Sequence, residues 1–121
     1  MSQTALIIED ELPVRLIYEA VLQRLDFTSI HAADGNAALS LLEYYSPNLI
    51  LLDILMPKMD GLEVFRRMQA MPQLQHVPVV IITAHEHFRS QLALDPKDQF
   101  LIKPVRPYQL QLVAEGLVTV P

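Results

Sequence analysis

Several apolar runs of this sequence end at a polar side chain that could take part in chemistry. In chain order these side chains are Glu9 and Asp10, Asp53, Thr83 and Lys103. Carboxylates that lie close together repel one another, so they need either a proton or a bound cation. Because these acidic groups offer oxygen ligands only, a hard ion such as Mg²⁺ suits them. With a lysine and a hydroxyl beside them, the set predicts a carboxylate nucleophile surrounded by groups that favour phosphoryl transfer.

The apolar runs themselves predict five buried β-strands. They are Ala5–Ile8, Thr28–Ala32, Leu49–Leu52, Val79–Ile82 and Phe100–Ile102. The third and fourth runs do not alternate with polar residues, which favours a sheet that is covered on both faces. In parallel sheets of this kind, ligands bind beyond the carboxyl ends of the strands. We therefore expect the polar side chains to meet at one edge of the sheet.

Apolar residues at helical spacing fill most of the segments between the runs. These segments are Val14–Leu25, Asn36–Tyr45, Leu62–Ala70 and Leu110–Leu117. Pro13 suits the first turn of the first helix, and Val14, Ile17 and Val21 are expected to face the core. The segment 85–99 has a weaker pattern, which predicts a short, frayed or displaced helix. The alternation of strand and helix predicts a doubly wound α/β fold with a five-stranded parallel sheet and helices on both faces.

Length and composition narrow the possible functions. The chain has 121 residues, which suits one domain. It has no cysteine, which excludes disulfides, thiolate metal sites and cysteine nucleophiles. No apolar run has the length of a membrane span and no signal-peptide pattern opens the sequence, so we expect a cytoplasmic protein without membrane contact. The net charge is −5 and the cations do not cluster, so direct binding to nucleic acid is not expected.

Each polar residue at a strand end also has a purely structural interpretation. Residues 9–11 suit the N-terminus of a helix, and this interpretation is favoured when they are considered alone. Asp53 could cap a loop, Thr83 could end a strand, and Lys103 could be a solvated charge. These separate interpretations would, however, place four chemically complementary residues at the same sheet edge by chance. The combination favours a functional site.

The sequence resembles the receiver domain of the two-component response-regulator family over nearly its whole length. The matching segments are residues 6–11, 51–61, 81–84 and 100–104. The resemblance implies a flavodoxin-like fold with strand order 2-1-3-4-5, and a single receiver domain over residues 1–121 without an output domain. It also implies a signalling switch, not a turnover enzyme. Such a switch takes a phosphoryl group from a histidine kinase or phosphotransfer protein and then changes its surface for a downstream protein target.

The resemblance also assigns roles to the residues at the strand ends. Asp53 is the phosphoacceptor. Asp10, Asp53 and the main-chain carbonyl of Leu55 contact Mg²⁺, whereas Glu9 acts mainly through bound water. Lys103 pairs with Asp53 at rest and with the phosphoryl group afterwards.

Further implied roles concern the response to phosphorylation. Thr83 bonds a phosphoryl oxygen, and Phe100 is the aromatic residue whose rotamer follows that movement. The Lys103–Pro104 peptide bond is expected to be cis, which is plausible only before proline. Leu55 and His85 lie near the acceptor and are expected to tune hydrolysis of the phosphoaspartate by controlling water access.

The chain departs from the usual family pattern at three places. Glu9 stands where many members have a shorter aspartate, and metal binding is expected to survive the change. Phe100 has no hydroxyl, so its inward and outward states can differ only by packing. The unusual segment 85–99 leaves family-style dimerisation open, and we expect a monomer or a weak dimer. The sequence fits either a stand-alone regulator or the receiver of a longer protein.

Three other functions compete with the signalling switch. An aspartyl-phosphate-type hydrolase or phosphatase uses the same groups, but such enzymes usually have a second aspartate two residues after the nucleophile, where this chain has Leu55. A flavodoxin-like binding module is disfavoured because Asp10 would repel a bound phosphate. A pseudo-receiver that only binds partners is disfavoured because the four polar positions are all present.

Overall fold

The computed structural model describes residues 3–56 and 59–117. Within these residues the strands and α-helices are β1 Gln3–Ile8, α1 Leu12–Gln23, β2 Phe27–Ala32, α2 Gly35–Leu42, β3 Leu49–Asp53, α3 Gly61–Gln69, β4 Val79–Thr83, β5 Gln99–Ile102 and α4 Pro107–Leu117. Two short 3₁₀-helices, Pro72–Leu74 and Glu86–Gln91, lie before and after β4. Among the described residues, no helix is long and apolar enough to cross a membrane.

All five strands pair in parallel, and their order is β2-β1-β3-β4-β5. This confirms the predicted fold class and strand order. The register places Ile8 beside Leu52, so the last residues of β1 and β3 lie almost level. On the other side of β3, Asp53 pairs with Ile82, the residue before the end of β4. The strand ends that carry the polar residues are therefore neighbours.

Two apolar layers hold the sheet. One layer packs against α2 and α3 and includes Leu6, Ile50 and Val64. The other packs against α1 and α4 and includes Tyr18 and Leu110. β3 and β4 are buried along their whole length because they contribute side chains to both layers. This explains why their sequences do not alternate between apolar and polar residues.

The predicted core face of α1 was only partly right. Val21 is buried as expected, but the other buried residues of this helix are Tyr18 and Leu22. Ile17, which we expected in the core, is 49% exposed. Apolar residues occur around most of this helix, so its periodicity did not define a single face. α2 also ends earlier than predicted, at Leu42, and leaves Tyr45 exposed.

The segment between β4 and β5 forms a 3₁₀-helix, Glu86–Gln91, in place of a longer α-helix. All six of its residues are at least partly exposed, and of the three predicted alternatives (short, frayed or displaced) this element fits the short one. The chain that follows is fixed by Asp98, which is 7% exposed. Its carboxylate accepts hydrogen bonds from the backbone N–H groups of Val79 (3.0 Å) and Asp95 (3.1 Å). Asp98 thus ties the entrance of β5 to the start of β4.

We expect Asp98→Ala to lower the free energy of unfolding by on the order of 3 kcal/mol. The substitution leaves two backbone N–H groups without their charged acceptor. Urea denaturation measures the loss, and Asp98→Asn should lose less because its amide oxygen can still accept. Asp95→Ala is the control, since the Asp95 side chain is exposed and should matter by less than about 1 kcal/mol. Equal losses for Asp98→Ala and Asp95→Ala would contradict the anchoring role.

Candidate functional site

Three carboxylates meet at the carboxyl edge of the sheet. Glu9, Asp10 and Asp53 each offer an oxygen, and these oxygens all lie within 4.8 Å of one another. Glu9 and Asp53 are 1% and 4% exposed, whereas Asp10 is open to solvent. The structure therefore brings together the three acidic residues that the sequence predicted.

The chain that follows β1 is held by hydrogen bonds to Glu9. The N–H of Glu9 donates to the carbonyl of Ala32 (3.1 Å), which extends the pairing of β1 with β2 beyond Ile8. The N–H of Glu11 donates to Glu9 Oε2 (3.1 Å). Arg15 Nη1 donates to the main-chain carbonyl of Glu9 (2.6 Å), so a residue of α1 fixes the acidic turn. Sequence reasoning missed Arg15, and no local pattern in the chain marks this contact.

Gly61 lies close to Ile54, the residue that follows β3. The N–H of Ile54 donates to the carbonyl of Ile82 (3.2 Å), and the N–H of Gly61 donates to the carbonyl of Ile54 (3.0 Å). A Cβ atom at Gly61 would lie 2.5 Å from the Cα of Ile54, so this close approach requires glycine. Residues 57 and 58 of this matching segment lie outside the described residues. Leu55, two residues after Asp53, is 50% exposed.

Lys103 lies between two of the carboxylates. Its Nζ is 3.2 Å from Glu9 Oε1 and 3.5 Å from Asp53 Oδ2. Its backbone N–H donates to the carbonyl of Thr83 (2.8 Å), which fixes the residue to the end of β4. The peptide bond to Pro104 is cis, as the resemblance implies. The expected pairing with Asp53 is thus present, but Glu9 is the nearer partner.

Thr83 and Phe100 lie on the neighbouring strands β4 and β5. Thr83 is fully buried, and its Oγ1 accepts a hydrogen bond from the N–H of the exposed residue His85 (3.3 Å). Phe100 is half-buried and pairs with Ile81, two residues before Thr83. The Arg89 guanidinium lies over its ring, 4.3 Å from the centroid. Sequence reasoning did not find this arginine.

Burial has the largest effect on the pKa values of Glu9 and Asp53. Burial raises the pKa of Glu9 to about 7; the Glu11 N–H and Lys103 oppose this, and the Asp53 charge adds to it. Burial likewise raises the pKa of Asp53, against the effects of Lys103, of Glu9 and of a backbone hydrogen bond from Leu55. Burial alone would lower the pKa of Lys103, but the two carboxylates outweigh it and raise the value.

This donor set fits a divalent cation. A cation near the three carboxylates would offset their mutual repulsion and the cost of their burial. All the side-chain ligands are oxygens, which Mg²⁺ prefers. The exposed Asp10 leaves the cluster accessible from solvent.

The chain matches the family described as "Response regulator receiver domain" over residues 5–115, and it therefore belongs to that family. This confirms the resemblance found in the sequence. Receiver domains are signalling switches and not turnover enzymes in the ordinary sense. They occur both in response regulators and in histidine kinases, as the following relatives illustrate.

Three curated relatives show the range of proteins that carry similar sequences. The response regulator PleD of Caulobacter vibrioides is 39% identical over 108 residues, which are 87% of this chain and 24% of that protein. The probable transcriptional regulator ycf27 of Porphyridium aerugineum is 35% identical over 112 residues, 91% of this chain and 45% of that protein. The sporulation initiation phosphotransferase F of Bacillus subtilis is 32% identical over 85 residues, 70% of this chain and 67% of that protein. The chain thus spans less than half the length of PleD and ycf27.

Solved structures agree with the fold. The receiver domain of the sensor histidine kinase PA1611 from Pseudomonas aeruginosa has a TM-score of 0.84 at 27% identity, covers 97% of this chain and 98% of its own, and has a magnesium ion coordinated in its active site cleft. The response regulator TrrA from Thermotoga maritima, in complex with Mg(2+)-BeF, has a TM-score of 0.83 at 26% identity, with 96% and 99% of the two chains covered. Vibrio cholerae CheY4, at 22% identity, shares the fold with a TM-score of 0.86 over 98% of this chain and 100% of its own.

The raised pKa of Glu9 predicts a pH-dependent stability in metal-free buffer. Its ordinary value is 4.5 and its folded value about 7, so the folded state holds this proton more tightly than the unfolded state. That stabilisation is complete below pH 4.5 and is lost as the pH rises through 7. We expect the free energy of unfolding in EDTA to fall by up to about 3 kcal/mol over this window.

Urea denaturation at a series of pH values measures the effect. Glu9→Gln should reduce the dependence of the free energy of unfolding on pH. The raised pKa of Asp53 should leave a smaller dependence of the same sign. Glu63 is a suitable control position because its pKa is lowered, so its contribution changes below pH 4.5 and not within this window. A stability that is constant or rises from pH 5 to 8 would contradict the burial argument.

Proposed function

We propose that this chain is a phosphoacceptor switch. It takes a phosphoryl group from a histidine kinase or phosphotransfer protein onto Asp53, with Mg²⁺ bound, and then presents a changed surface to a downstream protein target. The observation that carries the proposal is the grouping of Asp53 with Glu9 and Asp10, together with Lys103 Nζ within 3.5 Å of two of these carboxylates. Membership of the receiver family supports the same function.

The proposed cation ligands are Asp10, Asp53 and the main-chain carbonyl of Leu55, with Glu9 acting through bound water. When bound, the ion supplies positive charge that neutralises the phosphoryl oxygens and lowers the repulsion between them and the carboxylates. Lys103 supplies a second positive group on the side of Glu9 and Asp53.

The proposed chemical step is an in-line phosphoryl transfer. A carboxylate oxygen of Asp53 forms a bond to phosphorus while the bond from phosphorus to the donor's imidazole nitrogen breaks, and that nitrogen keeps the electron pair. Lys103 would stay near the new negative charge and stabilise it. Thr83 Oγ1 already accepts from the N–H of His85, so its own proton remains available for donation to a phosphoryl oxygen.

The surface beside the site suits the approach of a protein donor. Leu12, Leu16 and Ile17 on α1 are each about half exposed. Ile17 also lines a groove of about 460 Å³, together with Tyr18 and Lys103. An exposed apolar patch of this kind, continuous with a charged site, is typical of a protein-binding surface. We infer that the donor contacts this face when its phosphohistidine reaches Asp53.

Two further parts of the proposal concern the life of the phosphoryl group. Leu55 and His85 are exposed beside Asp53 and Thr83, and we infer that they tune hydrolysis by controlling the access of water. The Thr83–Phe100 pair is the proposed switch. Movement of Thr83 toward the phosphoryl group would free space into which the half-buried ring can rotate.

We expect Asp53 to gain one phosphoryl group on incubation with acetyl phosphate and Mg²⁺. Its carboxylate is buried, lies 3.5 Å from Lys103 Nζ and is one of the proposed direct ligands of the metal. Intact-mass spectrometry measures the gain, which should disappear in Asp53→Asn and after addition of EDTA. Asp26→Asn is the control, because Asp26 lies beside Gln3, at the opposite end of β1. An equal gain in Asp53→Asn would overturn the assignment.

We expect Asp10→Asn to weaken Mg²⁺ binding about tenfold or more. A cation in an open site cannot readily replace a lost carboxylate ligand. Isothermal titration calorimetry with Mg²⁺ measures the affinity. Glu11→Gln provides the matched control, because Glu11 is the exposed acid next in the chain and its backbone, not its side chain, contacts Glu9. An unchanged affinity in Asp10→Asn would exclude Asp10 as a ligand.

A further inference from the structure

An arginine covers the aromatic ring of the proposed switch. The Cζ atom of Arg89 lies 4.3 Å from the centroid of the Phe100 ring. Glu86 holds the same guanidinium through two contacts, Nε to Oε2 at 2.5 Å and Nη2 to Oε1 at 3.3 Å. A bidentate pair of this kind fixes the plane of the guanidinium as well as its position. The ring therefore meets an oriented cation.

The location of this contact connects two parts of the site. Glu86 and Arg89 belong to the 3₁₀-helix that begins three residues after Thr83. Phe100 lies on β5, three residues before Lys103. Phe88 of the same 3₁₀-helix packs, like Phe100, against the apolar layer beside α2 and α3. The Glu86–Arg89–Phe100 contact thus bridges the segment after β4 and the strand that carries the lysine.

The physics of the contact favours one position of the ring. A guanidinium is attracted to the negative face of an aromatic ring, and the attraction is lost when the ring moves away. Phenylalanine has no hydroxyl that could anchor it by a hydrogen bond, so packing and this contact decide where the ring lies. Because Glu86 already orients Arg89, little further side-chain entropy is lost when the ring is covered.

We propose that Arg89 is a positioning residue of the switch, which holds Phe100 in its resting place and opposes its inward rotation. This inference rests on the proposed function, since it assigns a regulation to the same site. A ligand that mimics the phosphoryl group shifts the ring only by its differential affinity for the two states. Removal of the Arg89 contact should therefore make that shift easier.

The first test uses the unphosphorylated protein. Ring NMR of labelled Phe100 is compared in wild type, Arg89→Gln and Arg89→Lys. Arg89→Gln should move the ring resonances and change the ratio of the two positions about two- to fivefold, the factor that corresponds to a cation–π contact at an exposed site. Arg89→Lys keeps the positive charge and should retain part of the wild-type spectrum.

Arg66→Gln is the matched control for these variants. Arg66 pairs with Glu63 at the same i, i+3 spacing on α3, but among the residues that the structure describes it forms no cation–π contact. It should leave the Phe100 resonances unchanged. Identical Phe100 spectra in Arg89→Gln and wild type would overturn the proposal.

The second test titrates beryllofluoride with Mg²⁺. Arg89→Gln should bind this phosphoryl mimic about two- to fivefold more tightly than wild type, because less work is needed to move the ring. This gain in affinity should vanish when Arg89→Gln is combined with Phe100→Leu, since the effect depends on the aromatic ring of Phe100. A gain that persists in the double variant, or an affinity that does not change, would also overturn the proposal. If no variant binds beryllofluoride, the proposed phosphoacceptor function fails, while the first test still decides the role of Arg89.

Discussion

The main constraint on this structure is that the carboxylates of Glu9, Asp10 and Asp53 are held together at one edge of the sheet, which costs free energy. Two of them are almost fully buried, and Lys103 is within reach of both. Burial raises their pKa values because water no longer solvates the negative charge. The level ends of β1 and β3 make the clustering unavoidable once the strands pair. The rest of the fold must therefore supply the few kcal/mol that this site costs.

That free energy comes from the two apolar layers on either side of the sheet. β3 and β4 are buried along their whole length, and each fully buried Leu or Ile contributes about 1.5–3 kcal/mol. The segment between β4 and β5 is different, because its 3₁₀-helix is largely exposed, although Asp98 anchors the end of the segment to the start of β4. Regions with few buried apolar contacts open at a lower free energy than core strands. Under the proposed function, we therefore expect a change of charge at Asp53 to displace this segment more readily than the core strands.

The sequence alone predicts those features that follow from strand burial. The apolar runs of β3 and β4 locate Asp53 and Thr83 at their ends without reference to any distant contact. α1 was less predictable because apolar residues occupy most of its circumference, so periodicity could not show that Ile17 stays half exposed. Arg15 and Arg89 could not be found at all. Their partners are set by the way in which helices and loops pack on the sheet, and side chains of the same type occur elsewhere on the surface.

The position of Lys103 suggests how a glutamate can serve where many family members have an aspartate. Glu9 is one methylene longer and reaches Lys103 Nζ at 3.2 Å, closer than Asp53 at 3.5 Å. Because Lys103 is shared with Glu9, Asp53 has no positive partner of its own among the residues that the structure describes. Under the proposed function, a dianionic phosphoryl group on Asp53 would compete with Glu9 for the lysine, since Coulomb attraction grows with charge. Lys103, which follows the last residue of β5 and lies three residues beyond Phe100 in the sequence, would then move toward Asp53.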